Sequence, residues 1–482
     1  MSLSVLEAIA LLEPLDTGLA RFGLLYGPSH AYRNAADSEA KALHKWLDTF
    51  ASLLKSLPGS PRKQACAVSI SLLQSSCTMT VAFNAENKRP ETVSDLIHSI
   101  WDWMSETSSM QDAEMAGKNR ELLIIVIKAS LERLRRRLTE KAWFVDPLLA
   151  ATASSSAPPA RKRFLLVVEQ SNADLLRLLG PDVESPDSDI VLRALLYWRK
   201  EYEDAKTELE QNVYWLAPYE RLLRKPGFKP PSLVHHMEKL FQPYMQCLLI
   251  RKARKTLRAA HSIPLTVNVL PSPEISLHDR FQLTNKGEAR IRAYLASSLH
   301  ADLTGAASSP HATDAINQVW ERIQHLPPPL PLHPAHCESV LLRHHLDNHI
   351  HNTAASPYPY FGISKPLCFQ CALYFEAYQT CQLGPPFKHR GFPKVKGETK
   401  IEVEACTVPI CCRGYDVADK AIEEEMGARL EKIFGTLLAD TIERLRKAAE
   451  PDIVFVLPGY DPDREHAITR LIGARSNGSS YE

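Results

Sequence analysis

Four residues in the C-terminal third of the chain have the types and spacing of a catalytic metal site. They are His336, Glu338, Cys368 and Cys371, within the segments HPAHCESVLLRHHLDNHIH and YPYFGISKPLCFQCALYFE. Zinc prefers cysteine thiolates and histidine nitrogens, and three protein ligands leave the fourth tetrahedral position to water. Zinc lowers the pKa of that water toward neutrality, which generates a hydroxide nucleophile. The pattern therefore predicts a catalytic site with Zn2+ as its cofactor.

The local sequence predicts how these side chains come together. A helix is expected to begin at about His336, and an aromatic strand, YPYFGI, is expected to lead into a second helix that begins near Cys368. On that helix Cys368 and Cys371 are three residues apart, so both sulfur atoms project to one side. The N–H groups and dipole of a helix N-terminus favour the thiolate form. Two helix N-termini therefore supply the three ligands.

Glu338 indicates that the predicted metal site belongs to an enzyme. It stands two residues after His336, which is too close for easy ligation beside the histidine but close enough to reach the metal-bound water. A carboxylate in that place can take a proton from the water and pass it to a ring nitrogen and to a leaving amine. We therefore expect Glu338 to be the catalytic proton shuttle.

These residues resemble the H-x-E…P-C-x-x-C signature of the cytidine deaminase-like superfamily, through His336-Cys337-Glu338 and Cys368-x-x-Cys371. The segments YFGISKPLCFQCALYF, FKHRGFPKV and EACTVP look more like a largely fungal branch, related to deaminase domains of bacterial toxins. The resemblance covers roughly residues 310–410. It implies that His336, Cys368 and Cys371 bind zinc, that Glu338 shuttles the proton, and that the reaction is hydrolytic deamination of a nucleobase at an amidine-type C–N bond.

Two features depart from the superfamily pattern. Leu367 stands where the family usually has the proline before the first cysteine, and Pro366 is one residue earlier. Many nucleoside deaminases also place a substrate-binding asparagine shortly upstream of the histidine, whereas the nearest upstream asparagine here is Asn317. Substrate recognition is therefore expected to differ. The substrate is a nucleobase-containing molecule, and the sequence leaves open a free base, a nucleotide, RNA and DNA.

Four residues between the two halves of the motif are predicted to contact the substrate. Tyr360 and Phe361 could stack on a base, and Ser364 and Lys365 follow them, with Lys365 able to meet a phosphate. Because side chains alternate along a strand, some of the aromatic residues here must instead pack in the core.

Other interpretations of the same residues stay open. The zinc could be structural, with a fourth ligand such as Cys337, His333 or Cys381, although a closed structural site has no use for Glu338. The fold could also retain the metal and serve as a non-catalytic interaction or scaffold protein. Two further groups could form a second metal site, or they could simply occupy surface and core positions. These groups are His344, His345, His349 and His351, and Cys406, Cys411 and Cys412.

The whole chain predicts an α/β protein of several domains. The C-terminal residues 310–482, with a motif core at 310–410, are expected to form a separable, cytidine deaminase-like three-layer fold with a mixed sheet. A mostly α-helical N-terminal region precedes it. Its predicted parts are a helical region at 1–150, a linker at 151–163 and a second mostly helical region at 164–300. Strands are predicted within 264–271 and 452–458, and a long helix at about 416–449.

Composition limits the setting of the protein. Hydrophobic residues make up 45% and charged residues 23% of the chain, and the net charge is +1, so no global attraction to nucleic acid or membrane is evident. No signal peptide or transmembrane segment is expected. These observations predict an intracellular protein, cytoplasmic or nuclear, with no membrane partner. The helical N-terminal region is a candidate for binding a protein partner.

Overall fold

The computed structural model describes a little over half of the chain. The described residues are 38–57, 64–72, 76–84, 90–111, 114–152, 158–180, 182–184, 186–209, 214–222, 232–257, 263–271, 293, 336–350, 357–365, 367, 369–384, 387, 394–395, 398–399, 420–422 and 424–430. They form a mostly helical molecule around a small sheet. None of the described helices is both long enough and apolar enough to cross a bilayer.

The elements are numbered in chain order. The helices are α1 (Ser38–Leu54), α2 (Pro90–Glu106), α3 (Met115–Thr152), α4 (Pro159–Leu179), α5 (Ser188–Glu208), α6 (Ala217–Leu222), α7 (Leu233–Leu240), α8 (Gln242–Thr256), α9 (Cys337–Ile350) and α10 (Phe369–Thr380). The strands are β1 (Cys66–Leu72), β2 (Cys77–Phe83), β3 (Leu265–Val269), β4 (Gly362–Ile363), β5 (Lys394–Val395) and β6 (Glu398–Thr399).

A four-stranded sheet with the order β3-β2-β1-β4 lies at the centre of the fold. Strands β1 and β2 form an antiparallel hairpin, and β3 extends it in parallel to β2. On the other side, β4 pairs antiparallel with β1, with Ala67 opposite Ile363 and Val68 opposite Gly362. The sheet is therefore mixed, as predicted, but β1, β2 and β3 come from outside residues 310–482, where the sheet was expected. Its pairing joins residues that are about 300 positions apart in the chain.

Helices cover both faces of this sheet, which gives the three layers that the sequence predicts. The side chains of Cys66, Val68 and Ile70 on β1 enter a hydrophobic core that also contains α1, α2 and α8. The alternate residue Ser69 points to the opposite face, where its hydroxyl lies 2.7 Å from Nε2 of His345 on α9. Because successive side chains of a strand alternate between faces, α1 and α9 lie on opposite sides of the sheet.

Helix α1 holds β4 in place through a close backbone approach and two hydrogen bonds. A Cβ atom on Gly362 would lie 2.3 Å from the carbonyl carbon of Leu47, so glycine is the residue that permits this packing. The carboxylate of Asp48 accepts a hydrogen bond from the backbone N–H of Ile363 at 2.9 Å and another from the hydroxyl of Tyr360 at 3.0 Å. The buried acid is therefore satisfied by the segment that leads to the second half of the motif.

A separate helical layer packs beside the sheet domain and has its own core. Helices α3, α4, α5 and α7 enclose a second cluster of buried side chains that includes Phe164, Trp198 and Tyr202. Helix α3 runs through both cores. The basic end of its central segment is hydrogen-bonded to neighbouring helices. Arg135 donates to the carbonyl of Leu179, and Arg137 donates to the carbonyls of His235 and His236.

The structure corrects two expectations for the N-terminal half. The region 1–150 is mostly helical where it is described, but it also contains the hairpin of β1 and β2. Both strands are short and mostly buried, and such runs cannot be distinguished from buried helix by periodicity. Within the predicted linker 151–163, residues 151–152 belong to α3 and residues 159–163 to α4.

Other predicted elements have mixed outcomes. Strand β3 confirms the strand predicted within 264–271. Of the helix predicted at 416–449, residues 420–422 and 424–430 are described and are helical. The strand predicted at 452–458 lies outside the described residues. The division of the chain into domains at residues 300–310 stays a prediction, and the pairing of β4 with β1 connects the two sides of that boundary.

Candidate metal centre and active site

Helix α9 presents the first half of the motif from its N-terminal turn. His336 directly precedes the helix, and its carbonyl accepts a hydrogen bond from the backbone N–H of Val340 at 3.1 Å. Glu338 lies in the first turn, where a negative charge is favoured by the helix dipole. Val340, Leu341 and other apolar residues of α9 are buried. The packing of these side chains fixes the position of the two chemical groups.

Helix α10 delivers the second half of the motif. Cys371 is its third residue and is buried, and nearly every described side chain from Cys371 to Tyr378 is buried as well. Such a helix is apolar around its whole circumference and belongs inside a fold. The aromatic segment around Tyr360 and the short strand β4 precede it, so the strand-to-helix order expected from the sequence is present.

His336, Glu338 and Cys371 converge into one cluster. Their ligand atoms all lie within 4.8 Å of one another. Nδ1 of His336 lies 3.3 Å from Sγ of Cys371, and the hydroxyl of Ser339 lies 3.3 Å from the same sulfur. Glu338 is only 5% exposed. The structure thus brings together three of the four residues that the sequence singles out.

The chemistry and spacing of the donors fit a zinc ion. Typical Zn–N and Zn–S bonds at a tetrahedral angle place the nitrogen and sulfur atoms about 3.6 Å apart. The observed separation of 3.3 Å between His336 Nδ1 and Cys371 Sγ is close to this value. A hydroxyl beside the sulfur, such as that of Ser339, can donate to a thiolate ligand and fix its orientation. Cys368, the third predicted ligand, lies outside the described residues, so its role stays a prediction.

Two alternative fourth ligands named from the sequence do not join this cluster. Cys337 is buried and forms a hydrogen bond with the side chain of Glu338. Burial first, and then the charge of Glu338, raise the pKa of the Cys337 thiol well above its usual value. The thiol of Cys381 donates instead to the carbonyl of Ala421 at 3.5 Å. His333 lies outside the described residues.

Two of the predicted substrate-binding residues lie in the core. Tyr360 has no exposed surface, stacks on His44 with ring centroids 3.9 Å apart and donates to Asp48. Phe361 is equally buried and stacks on Phe387 with centroids 4.4 Å apart. Neither ring offers a free face to a base, so the structure assigns both residues to packing and corrects the expectation that they contact the substrate.

The other two predicted substrate-binding residues lie where the chain leaves β4. Ser364 is half-buried. Its hydroxyl accepts a hydrogen bond from the backbone N–H of Cys66 at 2.8 Å, and its own N–H donates to the carbonyl of Cys66 at 2.9 Å. Lys365 is also half-buried. Their contact with a substrate stays a prediction.

Two histidines of α9, His344 and His345, make contacts within the fold, whereas His349 is exposed. His345 is buried against Ser69 of β1, and burial, with a smaller contribution from His344, lowers its pKa to about 3. Nε2 of His344 lies 2.9 Å from the side-chain amide of Asn348. The cluster at His336 is the one group of possible metal ligands found among the described residues. His351 and the three cysteines from Cys406 to Cys412 lie outside them.

Sequence reasoning missed several residues that shape the site. Asp48 and His44 on α1 orient the segment before β4, and Cys66 on β1 interacts with Glu338 from the side of the sheet. The one available signal was a pair of polar residues four apart, His44 and Asp48, within the apolar face of α1. Nothing in the sequence connects Cys66 to the motif, because about 270 residues separate it from α9.

Comparison with known families supports the chemistry suggested by this geometry. Residues 335–398 match a family model described as "OTT_1508_deam:-like deaminase". This segment is therefore similar to a deaminase domain of the cytidine deaminase-like type. The match begins just before His336 and includes Glu338, Cys368 and Cys371. No curated protein and no solved structure matches the chain.

Proposed function

We propose that the protein is a zinc-dependent hydrolase that deaminates a nucleobase, either free or within a nucleotide or nucleic acid. The observation that carries this proposal is the convergence of His336, Glu338 and Cys371 inside a segment that matches a deaminase family. In the reaction, water adds to the ring carbon that bears the exocyclic amine. The C–N bond then breaks, ammonia leaves and a carbonyl group remains on the ring.

Each residue of the cluster has a part in this scheme. His336 and Cys371 would hold the zinc ion, and Cys368 is proposed as the third ligand. A zinc ion bound there supplies Lewis-acid activation of water. Glu338 takes one proton from the attacking water and delivers it to the ring nitrogen, and it then takes the proton of the added hydroxyl group and delivers it to the departing amine. The carboxylate is buried and hydrogen-bonded to the Cys337 thiol, so its orientation is fixed before the substrate arrives.

A second function, binding of a protein partner by the helical layer, rests on a different observation. Helices α4 and α5 expose large apolar side chains, among them Leu166 at 49% and Tyr197 at 58% exposure. In this alternative the deaminase-like domain is a scaffold and Glu338 carries no chemistry. A cytoplasmic or nuclear location is proposed under either function.

The experiment that tests the proposal compares wild type with Glu338→Gln at equal zinc content. Glutamine is nearly isosteric and can hydrogen-bond to water, but it cannot accept and return a proton. We expect a loss of about 10,000-fold or more in ammonia release, the upper end for a general acid–base group. The assay uses nucleosides, nucleotides and single-stranded oligonucleotides as substrates. Zinc content is measured by mass spectrometry.

A matched control shows that the effect is local. Glu169 is an exposed carboxylate on α4, and Glu169→Gln makes the same chemical change far from the motif. It should leave the rate unchanged. A rate for zinc-loaded Glu338→Gln that equals the wild-type rate would refute the proposed role of Glu338. Absence of zinc from wild-type protein purified without chelator would refute the metal centre itself.

A further inference from the structure

The end of helix α1 brings a lysine to the neighbourhood of the candidate active site. Lys55 directly follows α1, and its charge interacts with the thiols of Cys66 and Cys337. Each of these thiols in turn interacts with the carboxylate of Glu338. Lys55 is half-buried, and among the described residues no carboxylate forms an ion pair with it. Its ammonium group therefore lies beside the site without a counter-ion from the described part of the protein.

Two further cations approach Lys55 from helices of the other layer. Arg133, on α3, donates to the hydroxyl of Ser56 at 3.1 Å and to the side-chain carbonyl of Gln242 at 2.6 Å. Both acceptors are neutral, and within the described residues Arg133 has no acidic partner. Lys239, on α7, is near enough for its positive charge to lower the pKa of Lys55. These contacts place the guanidinium group next to the end of α1.

The fourth cation comes from the loop after β4. Lys365 follows Ser364, which is tied to Cys66 by two hydrogen bonds, so the loop lies against the start of β1. The positive charge of Lys365 also lowers the pKa of Lys55. Four elements that are remote in sequence therefore bring positive charge to the neighbourhood of Lys55.

The neighbouring cations disfavour the charged form of Lys55. Burial first, and then the charges of Lys365, Arg133 and Lys239 in that order, lower the pKa of Lys55 to about 8. The negative end of the α1 dipole favours one cation at Lys55. Arg133, Lys239 and Lys365 reach the same neighbourhood from α3, α7 and the β4 loop. An anion bound among them would relieve the repulsion.

We propose that Lys55, Lys365 and Arg133 bind a phosphate group of the substrate, so that the enzyme acts on a phosphate-bearing nucleobase. The phosphate belongs either to a mononucleotide or to the backbone of a nucleic acid, and free bases and nucleosides are poor substrates. This inference rests on the proposed deaminase function, because it assigns the cluster to the substrate of that same site. Lysine and arginine are the side chains that most often bind phosphate groups.

The test measures binding and does not depend on turnover. Full-length, zinc-loaded protein carrying Glu338→Gln is titrated with cytidine and CMP, adenosine and AMP, and guanosine and GMP. It is also titrated with single-stranded RNA and DNA of about 12 nucleotides, a length within the range bound by single-strand binding folds. At least one phosphate-bearing probe should bind about tenfold or more tightly than its nucleoside, the gain expected from charge-assisted hydrogen bonds. A gain with mononucleotides identifies a free nucleotide, and a gain with the oligonucleotides alone identifies nucleic acid.

Substitutions then locate the gain. Lys55→Gln and Lys365→Gln should each weaken binding of the phosphate-bearing probe by about tenfold and leave nucleoside binding unchanged. Each should also reduce the dependence of affinity on salt by about one released ion. Lys45→Gln is the matched control, because Lys45 is exposed on the same helix about 15 Å from Lys55. Lys55→Arg keeps the charge and should restore most of the affinity.

The outcomes separate this inference from the proposed function. If phosphate adds nothing to affinity for any probe, or if both glutamine variants bind as the Lys45→Gln control does, the phosphate site is refuted and deamination can still stand. If Glu338→Gln retains the wild-type rate, the deaminase mechanism fails whatever the binding data show. Should Lys55→Gln lose zinc or fold, Lys365→Gln on the loop decides the result.

Discussion

The two hydrophobic cores of the protein are assembled from the chain in different ways. The core of the helical layer draws on residues between 127 and 241, from helices that follow one another in sequence. The core beneath the sheet joins residues 43–129 and 247–257 to Tyr360, from segments about 300 residues apart. The candidate active site depends on the second kind of core. Its geometry is therefore set by residues that no local inspection of the motif would select.

The largest effect on the site is expected when the remote segments that support it are removed. A chain that begins at residue 300 keeps the entire motif but loses α1 and β1, which hold β4. Contrary to the separable domain expected from the sequence, we expect this chain to lose zinc binding and to be insoluble or unfolded, because β4 pairs with β1 and because metal binding and folding of the site are linked. Co-expression with residues 1–271 should restore zinc to the complex. Zinc content near one ion per chain in the isolated C-terminal fragment would show that the domain is autonomous.

A single substitution tests the same packing of α1 against β4. Gly362→Ala adds a methyl group about 2.3 Å from the backbone of Leu47, so α1 and β4 must separate. We expect a loss of roughly 3 kcal/mol or more in the free energy of unfolding, at the high end for overpacking. Zinc affinity should fall with it.

The control for Gly362→Ala is the same substitution in the helical layer. Gly117 lies in α3 with no atom within 4 Å of an added Cβ. Gly117→Ala should be neutral or stabilise the protein by up to about 1 kcal/mol, since alanine is the better helix former. Urea denaturation measures both variants. Equal stability of the two would mean that the approach of α1 to β4 is not tight.

The smallest predicted effect compares two buried hydroxyl groups, one in each core. Tyr360→Phe removes the donor to Asp48 and leaves one buried carboxylate oxygen without that bond, which should cost about 1–3 kcal/mol. The hydroxyl of Tyr202 is buried with no hydrogen-bond partner among the described residues. Tyr202→Phe should therefore be neutral or stabilising. Thermal denaturation at one pH and one zinc concentration compares them, and an equal loss in both variants would contradict the assignment of the Asp48 bond.

The sequence predicted those parts of the site whose chemistry is local. His336, Glu338 and Cys371 could be recognised because ligand types at short spacing leave a readable pattern, and the helix beginning at His336 follows from the apolar residues after it. The mixed sheet and the three layers followed from the family resemblance. The pairing of β4 with β1 could not be predicted, because strand pairing across about 300 residues has no signature in either strand.

Polar residues with long-range partners were equally hidden. Asp48 is one acid in an otherwise ordinary amphipathic helix, and its two partners lie more than 300 positions away. Tyr360 and Phe361 had the composition of a base-stacking platform, and only the surrounding core showed that their faces are covered. The sequence around Lys55 did not suggest a phosphate site, because the neighbouring cations Lys365 and Arg133 come from other elements.

The pairing of β1 with β4 also matters for how the protein is made on the ribosome. At about 5–20 residues per second, the hairpin emerges roughly 15–60 s before its last strand partner is synthesised. During that interval one edge of β1 carries unpaired N–H and C=O groups, which can template pairing with another chain. Until β4 is synthesised, that edge of β1 is therefore a place where two nascent chains can pair with each other.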